Sequence, residues 1–278
     1  MHLLFELFLL LIQVVGAVVL FSYTLAWYEN ANLDPKLIAE KFTPRKLLLA
    51  LRLIADETLL LCITVVANLF GWLQGGRVSA NSSGKSPILL LHGLFHNQGC
   101  WWYVKIRLHR QGFDNVHSLN LPPWKDAEDL TERIAKKVDE LRHATGCDRV
   151  ILIGHSMGGI LARNYLQLRG GENKVEQLIL LGAPNQGSKL VPFALTKLAR
   201  VLLPNSEFLA RLNQAPLPAA VPITNIYTRH DNMVVPSNLC QWPLAHQVEL
   251  VKLGHVGLLY HASALTALTG ALKRETSS

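Results

Sequence analysis

The stretch Val150-Ile151-Leu152-Ile153-Gly154-His155-Ser156-Met157-Gly158-Gly159 limits what this chain can fold into more than any other part of it. A short aliphatic run leads straight into Gly-X-Ser-X-Gly, and the helix-favouring Ile160-Leu161-Ala162-Arg163 follows at once, so the segment predicts strand, sharp turn and helix. A serine at such a turn is forced into a strained backbone conformation. Gly154 and Gly158 flank it because a Cβ at either place would collide with the adjoining strand and helix. The turn lifts the Ser156 hydroxyl clear of the sheet, points the positive end of the helix at it and leaves the N–H of Met157 to bind an oxyanion. Alone, the pattern arises by chance in roughly one chain in ten of this length. Its surroundings must decide.

From Pro87 onward the surroundings alternate strand-like and helix-like segments. Ile88 to Leu91, Val116 to Leu121, Val150 to Ile153, Gln177 to Leu181, Ile223 to Tyr227 and Val248 to Val251 are short apolar runs of the kind buried in a parallel sheet. Helices are expected at Trp101 to Gln111, Ala127 to Ala144, Gly158 to Arg169 and Val256 to Leu272. This rhythm predicts an α/β fold with a doubly wound, mostly parallel sheet, whose ligands bind beyond the carboxyl ends of the strands. About forty residues separate Leu181 from Ile223 where a simple crossover needs fewer. Two short apolar-rich helices, Leu190 to Leu203 and Ser206 to Asn213, are expected there, and residues 188–221 read as a cap over the site.

A serine hydroxyl becomes a useful nucleophile when a base takes its proton and a carboxylate fixes that base's tautomer. In folds of this type the order along the chain is Ser, then Asp or Glu, then His. Asp231 lies in the polar turn Thr228-Arg229-His230-Asp231-Asn232 after a predicted strand, although His230 and Asn232 compete for the assignment. His255, between Gly254 and Gly257 just beyond the last strand, is placed to reach Ser156. The second oxyanion donor belongs in the loop after an early strand, where Leu91-His92-Gly93-Leu94-Phe95 offers the N–H of Leu94.

The first 74 residues are of another kind. Leu3 to Trp27 is almost wholly apolar, and about 25 residues suffice to cross a bilayer as a helix. A cleavable signal peptide fits poorly, because there is no basic region before it and the apolar stretch is too long. Leu47 to Leu73 turns apolar again, with Arg52, Asp56 and Glu57 on one side of its early turns. It reads as a second span with a snorkelling Arg52, or as an amphipathic helix in the interface. With two spans, Lys36, Lys41, Arg45, Lys46 and Arg52 would lie between them in the cytoplasm, and the following domain would face the periplasm. Residues 75–86, rich in Gly and Ser, read as a linker to the α/β domain at 87–278. The net charge of +7 comes from scattered basic residues without interleaved aromatics, which argues against a nucleic-acid partner. Cys62, Cys100, Cys147 and Cys240 have neither zinc-site nor redox-pair spacing and read as buried thiols, with a Cys100 to Cys240 bridge left open.

These pieces together resemble the α/β-hydrolase superfamily, and more closely bacterial lipases of the small Bacillus type and the larger Pseudomonas and Burkholderia type. Pro87 to Leu94, Gly154 to Gly159, Leu181-Gly182-Ala183-Pro184-Asn185-Gln186-Gly187-Ser188, Asp231 to Pro236 and Gly254 to Tyr260 carry the resemblance, in order. It implies Ser156 as nucleophile, His255 as base, Asp231 as its orienter, Leu94 and Met157 as oxyanion donors, and Gly154, His155 and Gly158 as the elbow around the serine. Pseudomonas-type lipases hold a structural calcium near the histidine. Here Val256, Gly257 and Leu258 follow His255, so neither metal nor cofactor is expected. The apolar N-terminal region has no counterpart in those secreted lipases.

The expected function is a membrane-associated serine hydrolase, in a bacterial inner membrane, acting on acyl esters or lipids. An acyltransferase or thioesterase with the same three residues, and a non-catalytic membrane scaffold, are the alternatives. Oligomeric state and acyl preference are not written in the chain.

Overall fold

The structure is a computed structural model that describes residues 2–34, 36–39, 43–71 and 86–274. Most of the expected 75–86 linker therefore lies outside the described residues, as do Lys41 and Leu73.

Six strands form one parallel sheet: β1 (Ile88–Leu91), β2 (Val116–Leu119), β3 (Val150–His155), β4 (Val175–Leu181), β5 (Ile223–Thr228) and β6 (His246–Leu250). Their order across the sheet is β2-β1-β3-β4-β5-β6, so the chain winds outward from β1 in one direction and then the other. The register sets Leu91 beside Gly154 and Gly154 beside Leu180, bringing the carboxyl ends of β1, β3 and β4 level.

Alternation along the strands makes two cores. Leu89, Leu91, Leu152, Leu178 and Leu180 face one side, under α5 (Ala127–Thr145) and α6 (Met157–Leu168). Ile88, Leu90, Ile153, Ile179 and Leu181 face the other, under α4 (Trp102–His109) and α8 (Ala262–Arg274). Burial on both faces favours apolar side chains at successive positions, which is why Ile88 to Leu91 and Val150 to Ile153 read as unbroken apolar runs.

Three expected helices are shorter than the sequence suggested. The segment near Leu190 to Leu203 is two 3₁₀ turns, Val191–Phe193 and Leu198–Leu202, separated where Ala194 turns extended; α7 (Glu207–Gln214) follows. At the C-terminal end Tyr260 leaves helical geometry and splits the 3₁₀ turn Val256–Leu259 from α8. Before α4, Gln98–Trp101 is likewise a 3₁₀ turn. All four cysteines are free thiols, so the Cys100 to Cys240 bridge is not formed.

The N-terminal region is a helical hairpin docked on this domain. It comprises α1 (His2–Leu33), the short α2 (Lys36–Ala39) and α3 (Pro44–Gly71). Val15 and Val19 of α1 pack on Cys62 of α3. Among the described residues α1 alone is long and apolar enough to cross a membrane. The far end of α3 is tied to the loop after β1: Asn97 Nδ2 donates to the Asn68 carbonyl at 2.7 Å, and Gln98 Nε2 to that of Gly71 at 2.7 Å. Leu3 to Leu10 of α1 and Leu47, Leu48 and Leu51 of α3 leave large apolar side chains exposed.

Leu152, fully buried in the middle of β3, tests this core. Leu152→Ala is expected to cost about 2–5 kcal/mol of stability, read as a lowered urea midpoint without a change in slope.

Candidate functional site

Ser156 joins β3 to α6 with φ +54° and ψ −126°, a conformation an L-residue adopts only under constraint. The constraint is close packing of backbones. A Cβ on Gly154 would lie 2.5 Å from the Cα of Gly159, and one on Gly158 would lie 2.2 Å from the Leu91 carbonyl oxygen. The serine's own N–H donates to the Leu181 carbonyl at 2.9 Å, and its carbonyl accepts from Gly159 at 2.9 Å. Met157 is fully buried as the first residue of α6.

Leu94 lies in the loop after β1, against this turn. Gly93 allows the approach, since a Cβ there would be 2.9 Å from that of Ser156. His92 pins the loop: its Nε2 accepts the N–H of Leu121 at 2.8 Å, which leaves Nδ1–H to donate to the Gly93 carbonyl at 2.8 Å. Burial pushes this ring down to about 4, so it stays neutral at pH 7.

Asp231 and His255 meet. The imidazole Nδ1 donates to Asp231 Oδ2 at 2.8 Å, with both side chains almost wholly buried. Asp231 Oδ1 accepts the N–H groups of Met233 at 2.8 Å and Val234 at 2.7 Å, so the carboxylate is held on both oxygens. Burial disfavours charge on His255, but the adjacent Asp231 outweighs it and raises the imidazole above its ordinary value. Of the competing neighbours, His230 accepts from Lys252 N–H, and Asn232 serves the backbone: its Oδ1 accepts from His255 N–H at 3.2 Å. His155, between Gly154 and Ser156, lies under the His255 ring with centroids 4.7 Å apart, and its Nε2 donates to the His255 carbonyl at 3.3 Å. Burial, helped by His255, holds it well below the usual histidine range.

Ser156 and His255 line one cavity of about 530 Å³. Its walls are apolar, including Leu94, Met233, Phe193 from the 188–221 segment and Phe21 from α1. Among the described residues no cluster of His, Cys, Asp or Glu is arranged to hold a metal ion. The arrangement is suited to proton transfer at a hydroxyl beside an apolar slot.

Two hairpin residues at this site were not foreseen. Ser22 of α1 accepts from Asn232 Nδ2 at 2.8 Å, and Glu57 of α3 lies against the backbone just after His255. The sequence grouped Asp56 and Glu57 on one polar side. The structure separates them: Asp56 pairs with Arg52 in solvent, whereas Glu57 is 2% exposed. The available signal was a carboxylate facing away from that pair in an otherwise apolar helix.

Comparison with known proteins agrees with the geometry. Residues 88–246 match the alpha/beta hydrolase family. The chain is 34% identical to the Sus scrofa 1-acylglycerol-3-phosphate O-acyltransferase ABHD5 over 96 residues, which are 32% of this chain and 28% of that protein. It is 29% identical to the Burkholderia plantarii triacylglycerol lipase over 116 residues, 38% of this chain and 32% of that one. The matches thus span about a third or less of these relatives. Among solved structures, Aspergillus fumigatus lipase B overlays with a TM-score of 0.59 at 19% identity, covering 71% of this chain and 55% of that one. The mature Bacillus licheniformis lipase BlEst2 gives 0.59 at 18% identity, covering 72% and 96%. These structures share its fold. With a six-stranded parallel sheet, a serine at the turn after its third strand and a family match across more than half its length, this chain belongs to the alpha/beta hydrolase family.

Proposed function

We propose that the chain is a membrane-associated serine hydrolase that cleaves acyl esters. The observation that carries this reading is the 2.8 Å contact of Asp231 with His255, a histidine that lines the same cavity as a serine on a positive-φ turn. His255 Nε2 takes the proton of Ser156 Oγ as that oxygen attacks the ester carbonyl; Asp231 keeps Nδ1 protonated and balances the imidazolium. The N–H groups of Leu94 and Met157 receive the oxyanion. The alcohol leaves with the proton held by His255, and water, activated by the same ring, releases the acid. The apolar cavity suits an acyl chain, in keeping with the lipases among the relatives. The acyltransferase name of other relatives supports a second reading, in which an alcohol instead of water accepts the acyl group. Product analysis with added alcohol acceptors separates the two.

The hairpin supports membrane association. Val15 and Val19 are buried against α3, and α1 first meets the hydrolase domain at Ala17 to Ser22, which leaves about 15 residues, roughly 22 Å, ahead of that contact. That is less than the roughly 30 Å of a hydrocarbon core. The docked hairpin therefore favours immersion in one leaflet, and a full crossing by α1 needs its C-terminal half to leave the domain. The periplasmic placement needs two crossings, and α3 would then give up the contacts of Glu57 and Asn68.

Ser156→Ala should abolish hydrolysis of a p-nitrophenyl ester in protein that still melts cooperatively; undiminished turnover would reject the nucleophile. Because the base works unprotonated, kcat/KM should rise with pH through a value above the ordinary histidine one. Asp231→Asn should move that rise to lower pH and cut kcat by about 10³–10⁴-fold. For the membrane, the protein is expected to stay in the pellet after an alkaline carbonate wash. Replacing the exposed Leu4, Leu7 and Leu10 together by Glu should release it. Retention of that triple variant would put the anchor elsewhere.

A further inference from the structure

Glu57 has no part in the chemistry described so far. It lies midway along α3, outside the hydrolase sheet, yet both carboxylate oxygens are engaged at the site: Oε2 accepts the N–H of Val256 at 3.0 Å and Oε1 that of Gly257 at 2.8 Å. These are the first two residues of the 3₁₀ turn that His255 opens, and N–H groups at the start of such a turn lack partners within it. The fit explains a glycine. A Cβ on Gly254 would come within 2.4 Å of Glu57 Cγ, Cδ and Oε1, so the residue before His255 has no side chain because the carboxylate fills that space. His255 is thereby fixed on three sides, by Asp231 at Nδ1, by Asn232 at its N–H and by Glu57 at the next two N–H groups.

We propose that Glu57, delivered by the N-terminal hairpin, is a positioning residue of the active site, which fixes the turn carrying His255 and places a second carboxylate beside its imidazole. The proposal rests on His255 being the base. The ionisable groups facing His255 are Asp231 from the loop after β5, Glu57 from α3, His155 from β3 and His96 from the loop after β1. Burial keeps both other histidines neutral, His96 being pushed down to about 3, so the two carboxylates set the proton affinity of the base. Burial pushes Glu57 up to about 7 against its two backbone bonds, and its charge is complete only above neutrality. An ordinary docking contact would act differently. Thr64, further along α3, bonds the Tyr260 hydroxyl at 2.9 Å and brings no charge to the site.

The test measures kcat and KM across about pH 5 to 9 with a soluble p-nitrophenyl ester, on the full chain in detergent. Glu57→Gln is expected to lower kcat roughly 10- to 100-fold with KM within about twofold, and to move the acid limb of kcat/KM to lower pH. Glu57→Asp keeps the charge one methylene further back; it should leave the limb near its wild-type position and recover part of kcat. Thr64→Val should leave the limb in place. Wild-type kcat and limb in Glu57→Gln overturn the proposal, as does a Thr64→Val variant that reproduces both of its changes. If Glu57→Gln does not fold, Glu57→Asp decides: a lowered kcat at unchanged KM supports the role, and full activity overturns it. His255→Ala runs alongside. Wild-type turnover in that variant removes the base and the Glu57 role with it, whereas a dead His255→Ala beside an unaffected Glu57→Gln removes the Glu57 role alone.

Discussion

Where β3 turns into α6, two backbones touch with no side chain between them. Gly158 lies against the Leu91 carbonyl and Gly154 against Gly159, and this contact holds Ser156 in a conformation that costs of order 1–3 kcal/mol. The cost is offset by burial. Met157 through Leu166 of α6 are all buried, and the strands beneath them are covered on both faces. A turn this tight cannot relax without lifting the helix off the sheet, so the serine's position is a property of the whole core and not of its own loop. Its oxygen is presented at the level where β1, β3 and β4 end, which is where the loops bearing Leu94 and His255 converge.

Charge at this rim is managed by satisfying one carboxylate completely. Asp231 receives two backbone N–H groups on one oxygen and the imidazole on the other, with the Cys240 thiol 3.9 Å from the second. Withdrawing one partner from a buried carboxylate leaves its charge uncompensated, at a cost of about 3–5 kcal/mol. The geometry around His255 is therefore stiff before any substrate arrives. His92 and His155, both buried and neutral, add hydrogen bonds without adding charge.

The sheet was legible because buried parallel strands leave a simple trace: Ile88 to Leu91 and Val150 to Ile153 are apolar without interruption, and the Gly-X-Ser-X-Gly turn ties one of them to its helix. The same topology put Asp231 and His255 in loops beyond β5 and β6, where the structure brings them into contact. What escaped was whatever depends on docking between distant segments. Ala194 and Tyr260 each leave helical geometry where periodicity alone would continue it. The hairpin read as an anchor because composition reports how apolar a helix is and not which side meets protein. The stripe Val15, Val19, Ser22 and Ala26 is small and weakly polar, so nothing in hydropathy separates it from a lipid-facing surface. A residue pair some two hundred positions apart, such as Glu57 and Gly257, leaves a trace only in the glycine that makes room for it.

The two helices of the hairpin are held to the domain unequally, and this decides which edge of the cavity beside Ser156 yields first. Along α3, bonds from Glu57, Thr64, Asn68 and Gly71 follow one another down a single face, several of them buried. Along α1, the Ser22–Asn232 bond is buried, but the Glu29–Lys189 ion pair has its lysine half exposed, and such a pair contributes about 0–1 kcal/mol. Beside it Phe21 and Phe193 meet edge to face at 4.9 Å over the cavity, an apolar contact that acyl carbon can replace at little loss. The edge that touches His255 is thus the firm one, and the edge beside the apolar cavity is the weaker one. Val18 and Phe193, both exposed, line it, so on the function proposed above immersion of that surface in lipid would bring acyl chains to the edge that yields most readily.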